Sequence, residues 1–298
     1  MTYSIVARDP VTGAMGIAVQ TCMFAVGTVA PWARAGIGAV ATQATGEPAY
    51  GPRCLDALEA GASAADALAI ARAADESPFL RQVGVVAADG SVAASTGEEC
   101  IELAGHLLAD GFTVQANMMA SAEVWPAMAE AFGTSTESFP RRLLAALDAG
   151  QSAGGDARGM MSAALLVVAG ARRDPWATPL VDLRVDSAVE PLRELRRLVN
   201  ASEAFDRFSR ANAVLTIGGD AHVALREVDD ALAAVPGESN MRFLRARALL
   251  AVGDVEGGRA ELRALIASRP SWEVIVRGFA ARGRLSIPES SSLDALLQ

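Results

Sequence analysis

The second residue of the chain, Thr2, is a candidate nucleophile because of where it stands. An initial methionine followed by a small residue is removed after synthesis, and threonine is small enough to qualify. The chain would then begin with Thr2, whose α-amine can act as the base for its own hydroxyl. Such an amine titrates at about pH 7.7–8.0, so a useful fraction of it is neutral under physiological conditions. This position predicts acyl chemistry that needs no histidine.

Residue usage excludes several other chemistries. All 26 basic residues are arginines, so the chain can build neither a phosphate-binding loop with its lysine nor a lysine Schiff base. Cys22, Cys54 and Cys100 are widely spaced, and only two histidines, His106 and His222, accompany them. A zinc site is therefore not expected. We expect buried thiols in a reducing compartment, and no metal or organic cofactor.

The charge and hydropathy of the chain limit the classes of partner that it can have. A net charge of −9 and an aromatic content of 5% argue against nucleic acid. The first residues do not resemble a signal peptide, and no uncharged apolar run approaches the ~18 residues of a membrane span. The chain is therefore predicted to be cytoplasmic, without a membrane partner, and to act on a small-molecule substrate. Its apolar character favours a homodimer.

The first 200 residues alternate strand-like and helix-like segments. Residues 3–8 and 15–21 predict a hairpin across a turn at 9–13. The segments that follow are a strand at 36–43, helices at 48–60 and 63–74, a hairpin of 82–88 with 91–96, a strand-like 112–115, helices at 118–132 and 139–149, and strands at 162–169 and 180–185. This order favours an α+β fold in which sheets lie between helical layers.

The last third of the chain has a different pattern, which begins after a predicted helix at 190–209. Glycine–aspartate pairs at 219 and 253 stand 34 residues apart, and prolines at 236 and 270 repeat that spacing. A period of this length, with such a pair between two helices, is typical of tetratricopeptide repeats. The sequence predicts two repeats, at about 203–236 and 237–270, and a capping helix at 271–282.

Residues 2–200 resemble a bacterial family of uncharacterised function whose fold is grouped with the N-terminal-nucleophile (Ntn) hydrolases. The matching segments are TYSIVARDPVTGAMGIAVQ, FAVGTVAPWARAGIGAVATQA, YGPRCLDALEAG, RQVGVV, STGEECIELAGH, VQANMMASAEVWPAMAEAF, AGGDARGMMSAALLVV and VDLRVD. The resemblance implies a four-layer αββα sandwich over 1–200, followed by an all-α, tetratricopeptide-like segment over 201–298. It also implies that Thr2 ends a central strand, faces a cleft and is the nucleophile.

Amide hydrolysis also needs neutral donors that hold the developing oxyanion. Asn117, predicted at the start of a helix, is a candidate donor. Gln43, at the end of a buried strand, is a candidate for holding substrate or the oxyanion. Each has a structural alternative: Asn117 would be a helix N-cap, and Gln43 a satisfied amide at the end of a sheet.

The glycine-rich loop at 154–159 supplies charge near the predicted strand at 162. Asp156 is expected to pair with Arg158 or to orient the Thr2 amine, and Arg158 is expected to bind a substrate carboxylate. The alternative is a surface salt bridge between the two. Ser162 is expected to hydrogen-bond the Thr2 amine; otherwise it is a small residue of the sheet.

His106 and Glu47 complete the candidate substrate-binding residues. His106 either binds substrate or relays a proton, or it ties its loop to the core. Glu47 stands where members of the resembled family often have Asn, and Met161 stands where they often have Gln. If either residue lines the cleft, substrate preference in this chain differs from theirs.

These observations predict a hydrolase of a non-peptide C–N bond in a small amide, lactam or ureido compound. Two alternatives stay open. A protein of the same fold could bind a ligand, or catalyse a cyclohydrolase-type reaction, without an acyl-enzyme. The helical repeats could instead make the chain a scaffold for a protein partner.

Overall fold

The structure is a computed structural model that describes residues 2–174, 176–287 and 292–297. The chain divides into two compact units between Val199 and Asn200. The described strands are β1 (Thr2–Arg8), β2 (Met15–Thr21), β3 (Pro31–Arg34), β4 (Gly38–Ala44), β5 (Arg81–Ala87), β6 (Val92–Thr96), β7 (Gly105–Ala109), β8 (Phe112–Asn117), β9 (Ser162–Val168) and β10 (Val181–Val185). The described helices are α1 (Tyr50–Glu59), α2 (Ala64–Ala73), α3 (Val124–Thr134), α4 (Phe139–Ser152), α5 (Pro191–Thr216), α6 (Ala221–Ala234), α7 (Ser239–Ala251), α8 (Val255–Ser268), α9 (Trp272–Ala280) and α10 (Leu293–Leu297). The predicted α+β class is confirmed.

Two antiparallel sheets make up the centre of the first unit. Six strands pair in the order β10-β9-β2-β1-β8-β7, and four pair in the order β3-β4-β5-β6. Helices α3 and α4 pack on the first sheet, and α1 and α2 pack on the second. The remaining faces pack on each other, since β1 contacts β4 and β5 while β8 contacts β5 and β6. The layers therefore run helix pair, sheet, sheet, helix pair.

Strand β1 shows how the sequence builds these layers. Tyr3 and Ile5 are buried in the core beneath α3 and α4, whereas Val6 packs with residues of the second sheet such as Val86. Successive side chains of a strand point to opposite faces, so the even-numbered residues of β1 lie between the sheets. Because both faces are covered, almost every residue of β1 is buried.

The predicted hairpin of β1 and β2 is confirmed, with Thr2 opposite Thr21 at its open end. Local chemistry explains its turn. The carboxylate of Asp9 accepts the backbone N–H of Thr12 at 3.1 Å, and Gly13 has a φ of +73° that favours glycine. The turn fixes the register, and the register brings the two threonines together.

One sequence expectation in this unit is wrong, and two short strands are absent from the sequence prediction. The helix expected from Met118 begins at Val124, because Met118 has a φ of +56° that a right-handed helix does not allow. Strands β3 and β7 were not expected. They are edge strands of four and five residues, and such short segments become strands through their ladder partners rather than through local propensity.

The second unit is helical. Asp220, Glu238 and Asp254 cap α6, α7 and α8, each with a carboxylate that accepts backbone N–H groups of the first turn. Successive helices from α6 to α9 pack on one another. The two aspartate caps repeat at the spacing seen in the sequence, while assignment to the tetratricopeptide class stays a prediction. In the described parts of the chain, no helix has the length and apolar character needed to cross a membrane.

Candidate active site

One end of the six-stranded sheet carries a row of polar residues. Thr2 pairs with Asn117 of β8 on one side and with Thr21 of β2 on the other, and Thr21 pairs with Ser162 of β9. Residues directly opposite across a ladder lie on the same face. Ser4, two residues after Thr2, donates to a glutamine of the facing sheet, so this is the face between the sheets. Four adjacent strands thus contribute amide or hydroxyl groups to one site.

Thr2 is among the residues that line a cavity of about 240 Å³. Thr2 is 7% exposed, and its Oγ1 donates to Oγ1 of Thr21 at 3.2 Å. Oγ1 of Thr21 also accepts the backbone N–H of Met23 at 3.3 Å. The described lining residues are Thr2, Thr21, Met23, Phe24, Val26, Val29, Ala30, Thr42, Gln43, Ala44, Gly46 and Pro48. None of these described residues is charged, and most are apolar.

Backbone strain is concentrated around this cavity. Among the described residues, three that are not glycine have a positive φ: Ala25 at +55°, Ala44 at +71° and Met118 at +56°. Ala44 lines the cavity, Ala25 lies between two residues that line it, and Met118 follows Asn117. Such a conformation costs roughly 1–2 kcal/mol per residue, and strain of this kind is often found at functional sites.

Gln43 joins the two sheets next to Thr2. Its Nε2 lies 3.0 Å from the carbonyl oxygen of Thr2, 2.7 Å from Oε1 of Gln82 and 3.2 Å from the carbonyl oxygen of Gln115. Its Oε1 accepts the hydroxyl of Ser4 at 2.7 Å. Every polar atom of the Gln43 amide is therefore used within the protein, which favours the structural alternative. The residue still lines the cavity and positions the backbone of Thr2.

Asn117 is the last residue of β8 and lies beside Thr2, so the prediction that it starts or caps a helix is wrong. Its Nδ2 donates to Oε1 of Gln82 at 2.8 Å and to the carbonyl oxygen of Thr2 at 3.3 Å. Its Oδ1 is buried and has no hydrogen-bond partner among the described residues. The Asn117 side chain is therefore at the site, but its N–H donors bond to protein acceptors and are not available to a substrate.

Asp156 is buried and holds the segment that follows the polar row. Its Oδ2 accepts the backbone N–H of Cys22 at 3.3 Å. Its Oδ1 accepts the backbone N–H of Arg158 at 2.9 Å and lies 3.5 Å from Arg158 Nε. The expected Asp156–Arg158 pair is thus present, half-buried because the Arg158 side chain is 41% exposed. Burial and the Asp156 charge raise the pKa of Cys22, so this thiol is a poor nucleophile.

Ser162 is one strand further from Thr2 than expected. It begins β9, which pairs with β2 and β10 rather than with β1. Its hydroxyl donates to the carbonyl oxygen of Met23 at 2.6 Å and accepts the backbone N–H of Val26 at 3.1 Å. Ser162 therefore shapes the 23–26 segment, which forms one wall of the cavity. The expected bond to the amine of Thr2 depends on removal of Met1, which lies outside the described residues.

His106 and Glu47 are not among the described residues that line the cavity. His106 is exposed on the edge strand β7, where its Nδ1 lies 2.8 Å from Oγ1 of Thr96; partial burial lowers its pKa. Glu47 stands between two lining residues, Gly46 and Pro48, and its carboxylate accepts the backbone N–H of Ala49 at 3.0 Å. Because both of its sequence neighbours line the cavity, Glu47 is the better candidate of the two for contact with a substrate.

Three residues of the site were missed in the sequence. Thr21 bonds directly to Thr2, and the hairpin register could have identified it. Gln82 receives bonds from Gln43 and Asn117, a convergence that no local pattern reveals. Gly46 lines the cavity, and its backbone N–H has no hydrogen-bond partner among the described residues. Within the same residues, no cluster of three potential metal ligands is found.

Comparison with known proteins identifies a family model and a similar solved structure. Residues 2–195 match the model of a family described as a family of unknown function, DUF1028. The chain is also similar to a crystal structure of protein SPO2555 from Silicibacter pomeroyi, assigned to the same family model. That similarity has a TM-score of 0.61 and 34% sequence identity, and it covers 66% of this chain and 84% of the other. Among curated proteins no match is found.

Proposed function

This chain belongs to the DUF1028 family, whose function is unknown, and we propose that it hydrolyses a non-peptide C–N bond with Thr2 as an N-terminal nucleophile. The observation that carries the proposal is the position of Thr2, which is the first residue of a central strand and lines a cavity. A small amide, lactam or ureido compound is the proposed substrate class.

The arrangement of layers supports the proposal. A helix pair, two facing sheets and a second helix pair follow one another in the order that the resemblance to Ntn hydrolases implies. In such an αββα fold the nucleophile begins a central strand that faces a cleft. Thr2 begins β1, the fourth of six strands, and therefore has the corresponding place.

The chemistry follows from the groups around Thr2. After removal of Met1, the free amine would take the hydroxyl proton while Oγ1 attacks the substrate carbonyl carbon. The negative charge that develops on the carbonyl oxygen needs donors. Gly46 lines the cavity and its backbone N–H has no hydrogen-bond partner among the described residues, so it is the proposed donor, whereas the amide hydrogens of Asn117 are already bonded. The amine then protonates the leaving nitrogen as the C–N bond breaks, and water hydrolyses the ester formed on Thr2.

The cavity wall indicates a neutral substrate. Its described lining contains Met23, Phe24, Val26 and Val29 and no charged side chain. Burying an unpaired carboxylate against such a surface would be strongly unfavourable. This argues against the expected role of Arg158, which lies outside the described lining. A volume of about 240 Å³ suits a small molecule or one end of a larger one.

One observation favours a second candidate function, ligand binding or a cyclohydrolase-type reaction without an acyl-enzyme. The side-chain donors nearest Thr2, on Gln43 and Asn117, are committed to protein acceptors. An enzyme that stabilises an oxyanion usually keeps such donors free for it. The scaffold alternative rests on the helical unit alone and receives no support from the site.

The deciding experiment is intact-protein mass spectrometry of the untagged chain before and after reaction with a β-lactone probe. We expect the mass of the chain without Met1 and one adduct, mapped to Thr2. Thr2→Ser should retain the adduct and Thr2→Ala should lose it while circular dichroism stays unchanged. Thr178→Ala, in an exposed loop, is the matched control and should label as the wild type does.

Two results would contradict the assignment of Thr2 as the nucleophile. Retention of Met1 would leave Thr2 without a free amine. Equal labelling of the wild type and Thr2→Ala would place the reactive group elsewhere. Either result would move the ligand-binding alternative ahead.

A further inference from the structure

Arg247 of α7 is buried and has no carboxylate partner in the part of the chain that the structure describes. It is 8% exposed, and it forms no salt bridge with any described residue. Two arginines on the same helix behave differently: Arg242 and Arg245 both pair with Glu261 at 2.8 Å. A buried positive charge is costly unless an anion or several acceptors compensate it. The charge of Arg247 is therefore not compensated in the way that the charges of Arg242 and Arg245 are.

The protein contacts of Arg247 are neutral. Its Nη1 donates to Oδ1 of Asn212 at 2.9 Å, and its Nε donates to the carbonyl oxygen of Arg284 at 3.3 Å. The guanidinium lies over the ring of Phe279, with its carbon 4.9 Å from the centroid. Its Nη2 has no hydrogen-bond partner among the described residues. Burial, and then the charge of Arg284, lower the pKa of Arg247.

A cavity of about 150 Å³ adjoins this guanidinium. Its described lining consists of Leu215, Thr216, Arg247, Ala251, Gly283, Arg284 and Ser286. Two arginines and two hydroxyl residues therefore surround it, and no described lining residue is acidic. Since one water takes about 30 Å³ of liquid volume, the space has room for a carboxylate or phosphate group with some water.

We infer that this cavity of the second unit binds a small oxyanion, a carboxylate or a phosphate, through Arg247 and Arg284. A guanidinium offers a planar fork of N–H donors that matches both anions, and Nη2 of Arg247 is left for such a contact. The anion would supply the negative charge that no described residue places beside Arg247. Arg284, which lines the cavity and is exposed, would contact the anion from the solvent side.

Titration calorimetry of the full chain tests the site, with inorganic phosphate in one series and acetate in the other. Chloride keeps the ionic strength constant, since simple screening weakens any such contact. We expect binding of at least one anion with a Kd of about 1 mM or lower. Arg284→Gln should weaken it at least about tenfold, the usual scale for losing a hydrogen bond between charged groups. The stronger of the two series identifies the anion class.

The matched control is Arg282→Gln, which removes an exposed arginine two residues from Arg284 that does not line the cavity. It should bind as the wild type does. Arg247→Gln should abolish binding, and if that variant fails to fold, the exposed Arg284 still decides the question. No heat from either anion, or equal affinity of Arg284→Gln and Arg282→Gln, would overturn the site.

Discussion

Two buried glutamines of the first unit should respond in opposite ways to the same substitution. Gln82 uses its whole amide: Oε1 accepts from Gln43 and Asn117 at 2.7 and 2.8 Å, and Nε2 lies 2.8 Å from Oγ1 of Thr96 and 2.8 and 3.1 Å from two backbone carbonyl oxygens. Gln20 is also fully buried, but neither its Oε1 nor its Nε2 has a partner among the described residues. Methionine has nearly the same length as glutamine and no hydrogen-bonding amide.

The magnitudes follow from these contacts. Gln82→Met leaves at least two buried polar groups short of a partner, each costing about 1–3 kcal/mol, so we expect a loss of about 2–6 kcal/mol. Gln20→Met removes two buried atoms that have no partner, so it should be neutral or stabilising by up to about 2 kcal/mol. A domain is stable by about 5–15 kcal/mol, so the difference between the variants is a large fraction of the total.

Hydrogen-exchange mass spectrometry of the full chain is the appropriate assay, because two units can unfold separately and one denaturation curve would mix them. Peptides from β1 and β5 report the first unit. Protection there should fall in Gln82→Met and should be kept or raised in Gln20→Met. An equal loss in both variants would refute the reasoning and would mean that an ordered water or another partner satisfies Gln20.

Two further predictions concern the stability of the first unit: one concerns the Asp75–Arg81 ion pair and the other the packing of Gly84 between the sheets. Arg81 donates to Asp75 at 2.9 Å and holds the pKa of that carboxyl well below its usual range. The stability this provides is present above the unfolded pKa of about 3.9 and is lost as pH falls towards the folded value. Asp75→Asn should therefore flatten, below about pH 4, the pH dependence of the urea midpoint of the first unit, measured by hydrogen-exchange labelling of peptides from that unit. An unchanged slope in Asp75→Asn would contradict this. A Cβ on Gly84 would overlap the side chain of Gln115 between the sheets, so Gly84→Ala should cost about 1–3 kcal/mol in the same unfolding assay. Gly133→Ala is the control: it meets no atom, lies in helix α3, and should stabilise by about 0.5–1 kcal/mol, so equal effects would exclude a steric cause.

The sequence alone predicts the parts of this protein that depend on neighbouring residues. The turn after Asp9 determines the β1–β2 hairpin and its register, and with it the pairing of Thr2 with Thr21. The same is true of helix α2, predicted at 63–74, whose N-cap Ser63 accepts the backbone N–H of Asp66 at 3.1 Å through its hydroxyl. In each case a few consecutive side chains satisfy the backbone, so no distant residue is needed.

The cavity and its polar support were decided only by tertiary structure. Gln43, Gln82 and Asn117 lie on three strands that are far apart in the chain, and they meet because two sheets pack face to face. The sequence analysis identified Asn117 but predicted it at the start of a helix, because helix propensity cannot predict the positive φ of the next residue, Met118. Likewise, the buried charge of Arg247 is evident only once α7 is packed among its neighbours. The burial of a side chain and its hydrogen-bond partners depend on how the layers pack, and the sequence of a single strand or helix does not specify which residues will pack against it.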